Sequence, residues 1–337
     1  MQSEVNKESV SALFRKFSTM RIMVIGDVMV DAYLWGKVDR ISPEAPVPVV
    51  TCTKKETRLG GAANVALNLL SLGAEPVMCS VTGSDETGKL LRKLMEQEGM
   101  GEGLMLTDPG RVTTTKTRII SGSQQLLRVD DENTAPLDPV IEKTFIEKIT
   151  GYLEKTKVDA IIFQDYDKGA ITPALIHAVT GLAGRRNIPT LVDPKRRNFA
   201  SYRSVSLFKP NFKEFAEGMK MEIRRNDTAL LAEAGRQYLA ASDNRLLLLT
   251  LSDLGVFITD GQKYASIPAH KRDIADVSGA GDTVISIAAL CLAAGCDPAQ
   301  TAALANLAGG LVCEKVGVVP VEREIFLKEA SGIETSW

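Results

Sequence analysis

The feature that most constrains the fold of this sequence is an alternation of short apolar runs with segments of helical periodicity. The runs RIMVIGDVMV, PVMCSV and VDAIIFQDY are each followed by a stretch in which apolar residues recur every three or four positions. Such alternation is typical of βαβ units, because a strand needs a crossover connection before a parallel partner can pair with it. The sequence therefore predicts an α/β protein with a mainly parallel sheet.

Two stretches break this alternation and predict a small second sheet. RISPEAPVPVVTCTKKETRLGG places three prolines around short β-branched runs, which suits an edge strand because proline cannot donate to a sheet ladder. RVTTTKTRIISGSQQLLRVDDE reads as two alternating strands joined by Ser-Gly-Ser, a hairpin signal. We expect this second sheet to cover a site or to contact a second subunit. The predicted organisation is one domain, 1–337, with the second sheet at about 33–58 and 111–131.

Charge and cysteine content restrict the partners. Lys and Arg total 40 against 42 Asp and Glu, so the chain has no overall field that would hold nucleic acid or an acidic membrane surface. The five cysteines are odd in number and contain no C-x-x-C pair, which predicts reduced thiols. The start of the sequence lacks the apolar core of a signal peptide, and no apolar run approaches the ~20 residues that span a bilayer. We expect a cytoplasmic protein without nucleic-acid or membrane partners.

The segment DVSGAGDTVISIAALCLAAG predicts an anion site at the start of a buried helix. Gly279, Ala280 and Gly281 have little or no side chain, so their N–H groups can approach an anion, and the helix N-terminus adds favourable potential. Asp282 follows in the first turn, where a carboxylate beside a phosphate is unfavourable unless it accepts a proton from an attacking hydroxyl. The alternative is structural, with Asp282 stabilising the helix dipole and the glycines forming a turn.

A second glycine-rich helix start and the end of the first strand predict contacts to a sugar. Gly60 and Gly61 allow close backbone approach, and Asn64 projects an amide that could hold hydroxyl groups. The alternative is a helix that begins at glycine and leaves Asn64 in solvent. Asp27 and Asp31 lie at the carboxyl end of a strand, where open α/β sheets bind ligands.

The motif NFKEF places Asn211 and Glu214 three residues apart at a predicted helix start. One interpretation is a capping box, in which each side chain bonds the backbone of the other residue. The functional alternative is that both hold a hydrated Mg²⁺ beside ATP phosphates, because magnesium prefers few carboxylates and several waters. Capping is the interpretation that the sequence alone favours.

Basic residues form small clusters, and most such clusters are solvated surface. Lys116, Arg118 and Arg128 fall in the predicted hairpin, and Lys195 and Arg196 follow the strand PTLVDP. The first two share one face of a strand and could hold a substrate phosphate together.

A P-loop is excluded. Gly83-x-x-x-x-Gly88-Lys89 has the right spacing, but a leucine stands where Ser or Thr is required. Asp85 and Glu86 within this turn would also repel phosphate.

Taken together and in this order, GDVMVD, GGAANVA, NFKEF, TLSDLG and DVSGAGD resemble the motifs of the ribokinase-like carbohydrate kinases, also called the PfkB family. The resemblance covers about residues 20 to 320. It implies a three-layer α/β/α sandwich with a β lid, and transfer of a phosphoryl group from ATP with Mg²⁺. A monovalent cation is a further cofactor that it leaves open.

The resemblance also implies roles for individual residues. Asp282 would be the catalytic base, and Gly279 to Gly281 would form the anion hole. Asn211 and Glu214 would organise the phosphates and Mg²⁺, the metal through water. The sugar would contact Asp31, Gly60, Gly61 and Asn64, and the nucleotide would contact Thr250, Ser252, Gly255 and Asn306. TLSDLG departs from the family pattern, with Leu251 where Arg is expected and Asp253 where Glu is expected.

Within the family, RISPEAPVPV, DPKRRNF and QQLLRVD are similar to the branch that phosphorylates the anomeric hydroxyl of D-glycero-D-manno-heptose 7-phosphate for lipopolysaccharide core synthesis. Similar proteins often carry a C-terminal nucleotidyltransferase domain, for which this sequence is too short, so we expect a stand-alone kinase. For the 7-phosphate we nominate Lys116, Arg118, Lys195 and Arg196. A homodimer through the second sheet is expected from its exposed β segments. Fructokinase-type or ribokinase-type kinases, and a non-catalytic sugar or nucleotide sensor, are the alternatives.

Overall fold

Two sheets of unequal size organise the chain, and the computed structural model describes residues 3–4, 7–122 and 124–335. In chain order the strands of this part are β1 (Ser3–Glu4), β2 (Arg21–Gly26), β3 (Val28–Ile41), β4 (Pro48–Gly61), β5 (Glu75–Cys79), β6 (Val81–Gly83), β7 (Leu106–Asp108), β8 (Thr115–Ser121), β9 (Gln124–Asp131), β10 (Ala160–Gln164), β11 (Thr190–Asp193), β12 (Leu207–Phe208), β13 (Leu247–Thr250), β14 (Val256–Thr259), β15 (Tyr264–Ile267) and β16 (Glu334–Thr335). The helices are α1 (Lys7–Phe17), α2 (Ala62–Ser71), α3 (Glu86–Gln97), α4 (Pro139–Lys155), α5 (Pro173–Arg185), α6 (Phe212–Met219), α7 (Thr228–Ser242), α8 (Ala280–Ala294), α9 (Pro298–Val312) and α10 (Arg323–Ala330).

The larger sheet has eight strands in the order β15-β14-β13-β12-β11-β10-β2-β5. The six strands from β13 to β5 are parallel, and the last two pairs, β13 with β14 and β14 with β15, are antiparallel. The prediction of a mainly parallel sheet is therefore confirmed. Its strands are apolar runs because both faces are covered.

Helices cover both faces of the larger sheet, which gives the three layers that the family resemblance implied. Alternate residues of β2 point into different cores: Ile22 and Val24 pack with α2, α8 and α9, whereas Met23 and Ile25 pack with α4, α5 and α7. The predicted burial of the two late helices is confirmed, since most residues of α8 and α9 are buried. An apolar helix surface of that width is stable only between other elements.

The second sheet has four strands in the order β4-β3-β8-β9. Strand β4 begins at Pro48 and lies at an edge, as the prolines predicted. Strands β8 and β9 form the predicted antiparallel hairpin, and Ser123 of its Ser-Gly-Ser turn lies outside the described residues. The two stretches that broke the alternation supply β4, β8 and β9. Strand β3 instead begins at Val28, inside the run RIMVIGDVMV that was predicted for the main sheet, so the second sheet starts earlier than about residue 33. Its role as a lid stays a prediction.

Strand direction brings distant residues to one edge of the larger sheet. Strands β2, β10 and β11 end at Gly26, Gln164 and Asp193, and their parallel pairing aligns these ends. The N-terminus of α8 lies at the same edge, because Asp282 contacts Gln164. This edge is the candidate site.

Two observations bear on the wider expectations. None of the helices in the described part of the chain is both long and apolar enough to cross a membrane. All five cysteines are free thiols, three of them buried.

Candidate active site

The turn before α8 forms a backbone cradle with unpaired N–H groups. Gly279 has φ 83° and ψ −5°, a left-handed conformation that glycine adopts without strain, and the helix has no side-chain cap. The N–H of Ala280 donates to the Val277 carbonyl at 3.3 Å, whereas those of Gly281 and Asp282 have no acceptor among the described residues. Unpaired N–H groups at a helix N-terminus are an anion site. The turn thus leaves two N–H groups free and one partly occupied, and its binding of an anion stays a prediction.

Asp282 lies beneath this cradle with both carboxylate oxygens engaged. Its Oδ2 accepts a hydrogen bond from Asn64 Nδ2 at 2.8 Å. Its Oδ1 accepts from Gln164 Nε2 at 3.0 Å and from the Tyr166 hydroxyl at 2.7 Å. Burial raises the pKa of Asp282 to about 6, against the opposing effect of the bonds from Asn64 and Tyr166. The group is ionised at neutral pH and is able to take a proton.

A buried ion pair stands beside the cradle. Lys209 Nζ lies 3.0 Å from Asp193 Oδ2, and both side chains are almost fully buried. Gln164 Nε2 also donates to Asp193 Oδ2 at 3.2 Å, so one amide joins Asp193 to Asp282. A Cβ atom on Gly281 would lie 3.6 Å from Lys209 Nζ, which puts a fixed cation close to the cradle.

Sequence reasoning missed Gln164, Tyr166, Asp193 and Lys209. The signal that could have found them is their position at, or directly after, the carboxyl end of a predicted strand, the same rule that singled out Asp27 and Asp31.

Asn64 is fully buried, so the alternative that left it in solvent is wrong. Its neighbour Asn68 accepts hydrogen bonds at 3.0 Å from the Thr283 hydroxyl and from the Val321 backbone N–H. Asn68 Nδ2 in turn donates to the Asn64 carbonyl at 2.9 Å. This network joins α2 to α8 and directs the Asn64 amide at Asp282. A contact from Asn64 to a sugar stays a prediction.

The carboxylate of Asp27 is occupied by three backbone N–H groups and does not face an open cleft. Its oxygens accept hydrogen bonds from the N–H groups of Tyr166, Lys168 and Ala170 at 2.9 to 3.1 Å. These contacts fix the loop after β10 and favour a structural role for Asp27. Gly61 has φ 59°, and a Cβ there would collide with the Asp27 carbonyl, which explains the need for glycine.

Asp31 forms an ion pair with Arg118, so two predicted ligands neutralise each other. Asp31 is buried in β3, and the guanidinium of Arg118 also lies 5.3 Å from the ring centroid of Tyr33. A Cβ on Gly60 would collide with the Asp31 carboxylate. Gly60 and Asp31 therefore share one packing constraint, and their contact with a sugar stays a prediction.

Two of the nominated cations approach Tyr166. Lys116 Nζ lies 5.2 Å and Lys195 Nζ 5.6 Å from its ring centroid. Burial lowers the pKa of Lys116, which forms no ion pair among the described residues; the nearby Asp31 pairs with Arg118 instead. Burial also disfavours the charge of Lys195, but Asp193 and Glu214 outweigh it and raise the pKa of that lysine.

Arg128, from the cluster in the predicted hairpin, and the nominated Arg196 are less suited to a buried anion. Arg128 is exposed and donates to Asp130 with two nitrogens, at 2.9 and 3.0 Å. Arg196 is exposed, and in the part of the chain that the structure describes it makes no polar side-chain contact. The structure thus separates Lys116 and Lys195 from Arg128 and Arg196.

Asn211 and Glu214 form the capping box that the sequence favoured. Asn211 Oδ1 accepts from the Glu214 N–H, and Glu214 Oε2 accepts from the Asn211 N–H, each at 2.9 Å. The other oxygen of Glu214 pairs with Lys195. No cluster of three His, Cys, Asp or Glu side chains suited to a metal occurs among the described residues. One carboxylate and one amide suit only a hydrated Mg²⁺ that takes most ligands from phosphate and water.

The predicted nucleotide residues lie near this helix start or pack against the adjacent loops. Thr250 forms a β-bridge with Asn211, and Ser252 follows it with φ 59°. Gly255 has φ 88°, and a Cβ there would collide with the Ile267 carbonyl. Asn306 donates from Nδ2 to the Pro268 carbonyl at 2.9 Å. Their contact with a nucleotide stays a prediction.

The segment that imitates a P-loop has an internal structural use. Asp85 caps α3 and accepts hydrogen bonds at 2.7 Å from the backbone N–H groups of Gly88 and Thr113. Lys89 pairs with Glu86 on the surface. Neither charge is directed at the candidate site, which agrees with the exclusion of a P-loop.

Comparisons with known proteins agree with this geometry. The family described as "pfkB family carbohydrate kinase" matches residues 19–324. "Bifunctional protein HldE" of Trichlorobacter lovleyi is 40% identical over 322 residues, which is 94% of this chain and 65% of that protein. The protein of the same name from Geobacter metallireducens is 41% identical over 321 residues, 94% of this chain and 64% of the relative. The chain thus spans slightly less than two thirds of the length of these relatives.

Solved structures of lower identity share the fold. Phosphofructokinase-2 from Escherichia coli in complex with potassium superposes with a TM-score of 0.78 at 17% identity, covering 93% of this chain and 98% of that chain. Arabidopsis thaliana ribokinase complexed with ribose and ATP gives 0.70 at 16% identity, covering 92% and 98%. These likenesses establish a ribokinase-like fold.

Proposed function

Because the chain belongs to the pfkB family of carbohydrate kinases, we propose that it transfers the γ-phosphoryl group of ATP to the anomeric hydroxyl of D-glycero-D-manno-heptose 7-phosphate. The product is the 1,7-bisphosphate, an intermediate of lipopolysaccharide core heptose synthesis. The observation that carries the phosphotransfer is the buried carboxylate of Asp282 beneath unpaired helix N–H groups. The sugar assignment rests on RISPEAPVPV, DPKRRNF and QQLLRVD, which are similar to the heptose 7-phosphate branch.

The chemistry requires one proton transfer and one phosphoryl transfer. The sugar hydroxyl gives its proton to Asp282 as its oxygen bonds the γ-phosphorus, while the bond to the β,γ-bridging oxygen breaks and ADP leaves. The N–H groups of Gly281 and Asp282, together with Lys209, stabilise the charge on the transferring group. Positioning of the two substrates supplies much of the remaining rate.

Glu214 and Asn211 would hold Mg²⁺ through water, and the ion would neutralise phosphate charge when bound. Lys195 would then share Glu214 with the hydrated ion, because the two already pair. A monovalent cation is part of the proposal, since the similar phosphofructokinase-2 structure is described with potassium.

Lys116 is the strongest candidate for the 7-phosphate among Lys116, Arg118, Lys195 and Arg196. It is partly buried and forms no ion pair with a carboxylate in the described chain, so the 7-phosphate of the sugar would give it a directly contacting anion. Replacing it with Met should raise KM for the phosphorylated sugar about tenfold and leave KM for ATP unchanged. Lys55→Met is the matched control, because that lysine lies in the same four-stranded sheet and is exposed. An unchanged sugar KM in K116M would remove Lys116 from the proposal.

The second sheet would act as a lid that excludes water and suppresses ATP hydrolysis. Its apolar side chains Ile41, Leu127 and Val129 are more than 45% exposed, as is Val47 in the loop before β4, and this supports a homodimer through that sheet. Light scattering at several protein concentrations tests the dimer. We expect the proposed enzyme in the cytoplasm, because its reaction uses ATP.

The deciding experiment incubates the protein with MgATP and a panel of sugars and identifies the products by mass and phosphorus NMR. Heptose 7-phosphate should be the best acceptor, ahead of free fructose and ribose, and D282N should form product at least about 100-fold more slowly. Preference for fructose or ribose would favour another kinase of the family. Absence of ATP consumption with every acceptor would favour the sensor.

A further inference from the structure

The side chain of Tyr166 lies between the base and the nominated cations of the sugar-phosphate end. We propose that Tyr166 is a positioning residue whose hydroxyl orients Asp282 and whose ring holds Lys116 and Lys195 at a set distance from that base. The inference rests on the proposed function for the identity of the acceptor, and on the contacts of Tyr166 for everything else.

The backbone of Tyr166 is fixed. Its N–H donates to Asp27 Oδ2 at 2.9 Å, and the same carboxylate accepts from Lys168 and Ala170 further along the loop. Asp27 is almost fully buried, so this loop is anchored to the end of β2. The Tyr166 side chain therefore starts from a defined position at the carboxyl edge of the larger sheet.

The hydroxyl of Tyr166 completes the orientation of the Asp282 carboxylate. Three donors approach that group from three segments: Asn64 from α2, Gln164 from the end of β10, and Tyr166 from the loop beyond it. Two of the three reach Oδ1, so the plane of the carboxylate is set by contacts on both oxygens. A base held in one plane presents its remaining lone pairs in one direction, which is what a positioned hydroxyl requires.

The ring of Tyr166 lies close to two ammonium groups from different parts of the molecule. Lys116 belongs to β8 of the second sheet, and Lys195 follows β11 of the larger sheet. Both ammonium nitrogens are within 6 Å of the ring centroid, the range of cation–π attraction. For Lys116 this contact replaces an ion pair, so the ring helps to keep that lysine charged and in place.

One rigid side chain thus relates the proton acceptor to two cations. A sugar that carries both a reactive hydroxyl and a remote phosphate needs the base and the cations at a fixed distance from each other, whereas an unphosphorylated sugar does not. The charged groups that face Asp282 are Asp193, Lys209 and Lys195, and none of them changes when the hydroxyl of Tyr166 is removed. Tyr166 therefore contributes to rate through its hydroxyl and to selection of phosphorylated sugars through its ring.

Two variants separate these contributions. Y166F keeps the ring and deletes the hydroxyl: kcat should fall about tenfold, and the acid limb of the pH profile should move to higher pH, because Asp282 loses a bond that favours its charged form. Its KM for the phosphorylated sugar should stay within about twofold of wild type. Y166L also deletes the ring, and that KM should rise about tenfold while KM for ATP is unchanged.

A double variant tests whether the ring acts through Lys116. In K116M/Y166L the sugar KM should be close to that of K116M alone, because the two changes remove one shared interaction. Independent, multiplied effects would overturn the role of the ring. Circular dichroism and thermal melts of each variant check that the fold is retained.

A measurement without substrate separates this inference from the proposed function. The carboxyl carbon of Asp282 can be titrated by ¹³C NMR in protein labelled at aspartate, its signal identified by its absence in D282N. In Y166F that signal should titrate at higher pH than in wild type. If no sugar is turned over, the proposed function fails, and this titration still decides the role of the hydroxyl. An unchanged titration would overturn it.

Discussion

Two buried aspartates at the same edge of the larger sheet have opposite surroundings. Asp27 and Asp282 are both about 3% exposed, and burial raises the pKa of each. All the donors to Asp27 are backbone N–H groups of one loop, whereas all the donors to Asp282 are side chains from separate segments. Asp282 also adjoins the unpaired N–H groups at the start of α8.

The two kinds of donor indicate different roles for two carboxylates that are equally buried. Backbone donors are set by the path of the chain, so the carboxylate that accepts them holds that path in return. Side-chain donors orient a carboxylate without making the backbone depend on it. We therefore expect loss of Asp27 to affect folding and loss of Asp282 to affect turnover.

The largest expected effect is on catalysis by D282N. The change removes the proton acceptor but keeps the size of the side chain, so kcat should fall roughly 10²- to 10⁴-fold. Steady-state phosphotransfer measures the rate, and fluorescence titration with an ATP analogue should report nearly unchanged nucleotide binding. Retention of close to full activity would show that Asp282 is not the catalytic base.

The next effect is on stability in D27N. An amide offers one acceptor where the carboxylate serves three N–H donors, and its own NH₂ faces those donors, so the free energy of unfolding should fall by about 3 kcal/mol. Urea unfolding of D27N against wild type measures the change. Asp39→Asn is the matched control, since Asp39 is exposed. Wild-type stability of D27N would mean that the loop does not depend on its carboxylate.

As pH rises through the pKa of Asp282, activity should increase, whereas the contribution of Asp282 to the free energy of unfolding should decrease. A base must be ionised, so kcat/KM should fall about tenfold for each pH unit below the folded pKa of about 6. A carboxyl pKa that is raised in the folded protein favours folding while the group is protonated. That contribution is present below the unfolded value of 3.8 and is lost as pH rises through about 6.

The free energy of unfolding, measured at several pH values in wild type and D282N, tests the predicted loss of stability as pH rises. Burial also raises the pKa of Asp165 to about 6, so D282N should reduce the decline between pH 4 and 6 without abolishing it. An identical decline in both proteins would contradict the raised pKa of Asp282.

The smallest expected effect concerns Lys89, in the turn that imitates a P-loop. Its only ion pair in the described chain is with Glu86 at the surface, so Lys89→Ala should change kcat and KM for ATP by less than about twofold. Initial rates over a range of ATP concentrations measure this. A large rise in KM for ATP would indicate that the turn from Gly83 to Lys89 binds the nucleotide, in place of the turn before α8.

Local patterns predicted the elements of this site better than they predicted its contacts. The turn before α8, Asn64 and the capping box of Asn211 with Glu214 were found because each is encoded within a few residues. The pairing of Asp31 with Arg118 was not foreseen, because these residues lie 87 positions apart and meet only through the pairing of β3 with β8.

The sequence by itself determined the parallel α/β sheet, the separate second sheet and the glycine-rich turn that precedes Asp282, because strand periodicity, proline and glycine act locally. Only the tertiary structure decided which groups hold that carboxylate. Asn64 lies 218 positions from Asp282 and Gln164 lies 118 positions away, and neither stands out as a partner in the sequence. They meet because parallel strands end at one edge, and that alignment depends on the packing of every strand between them.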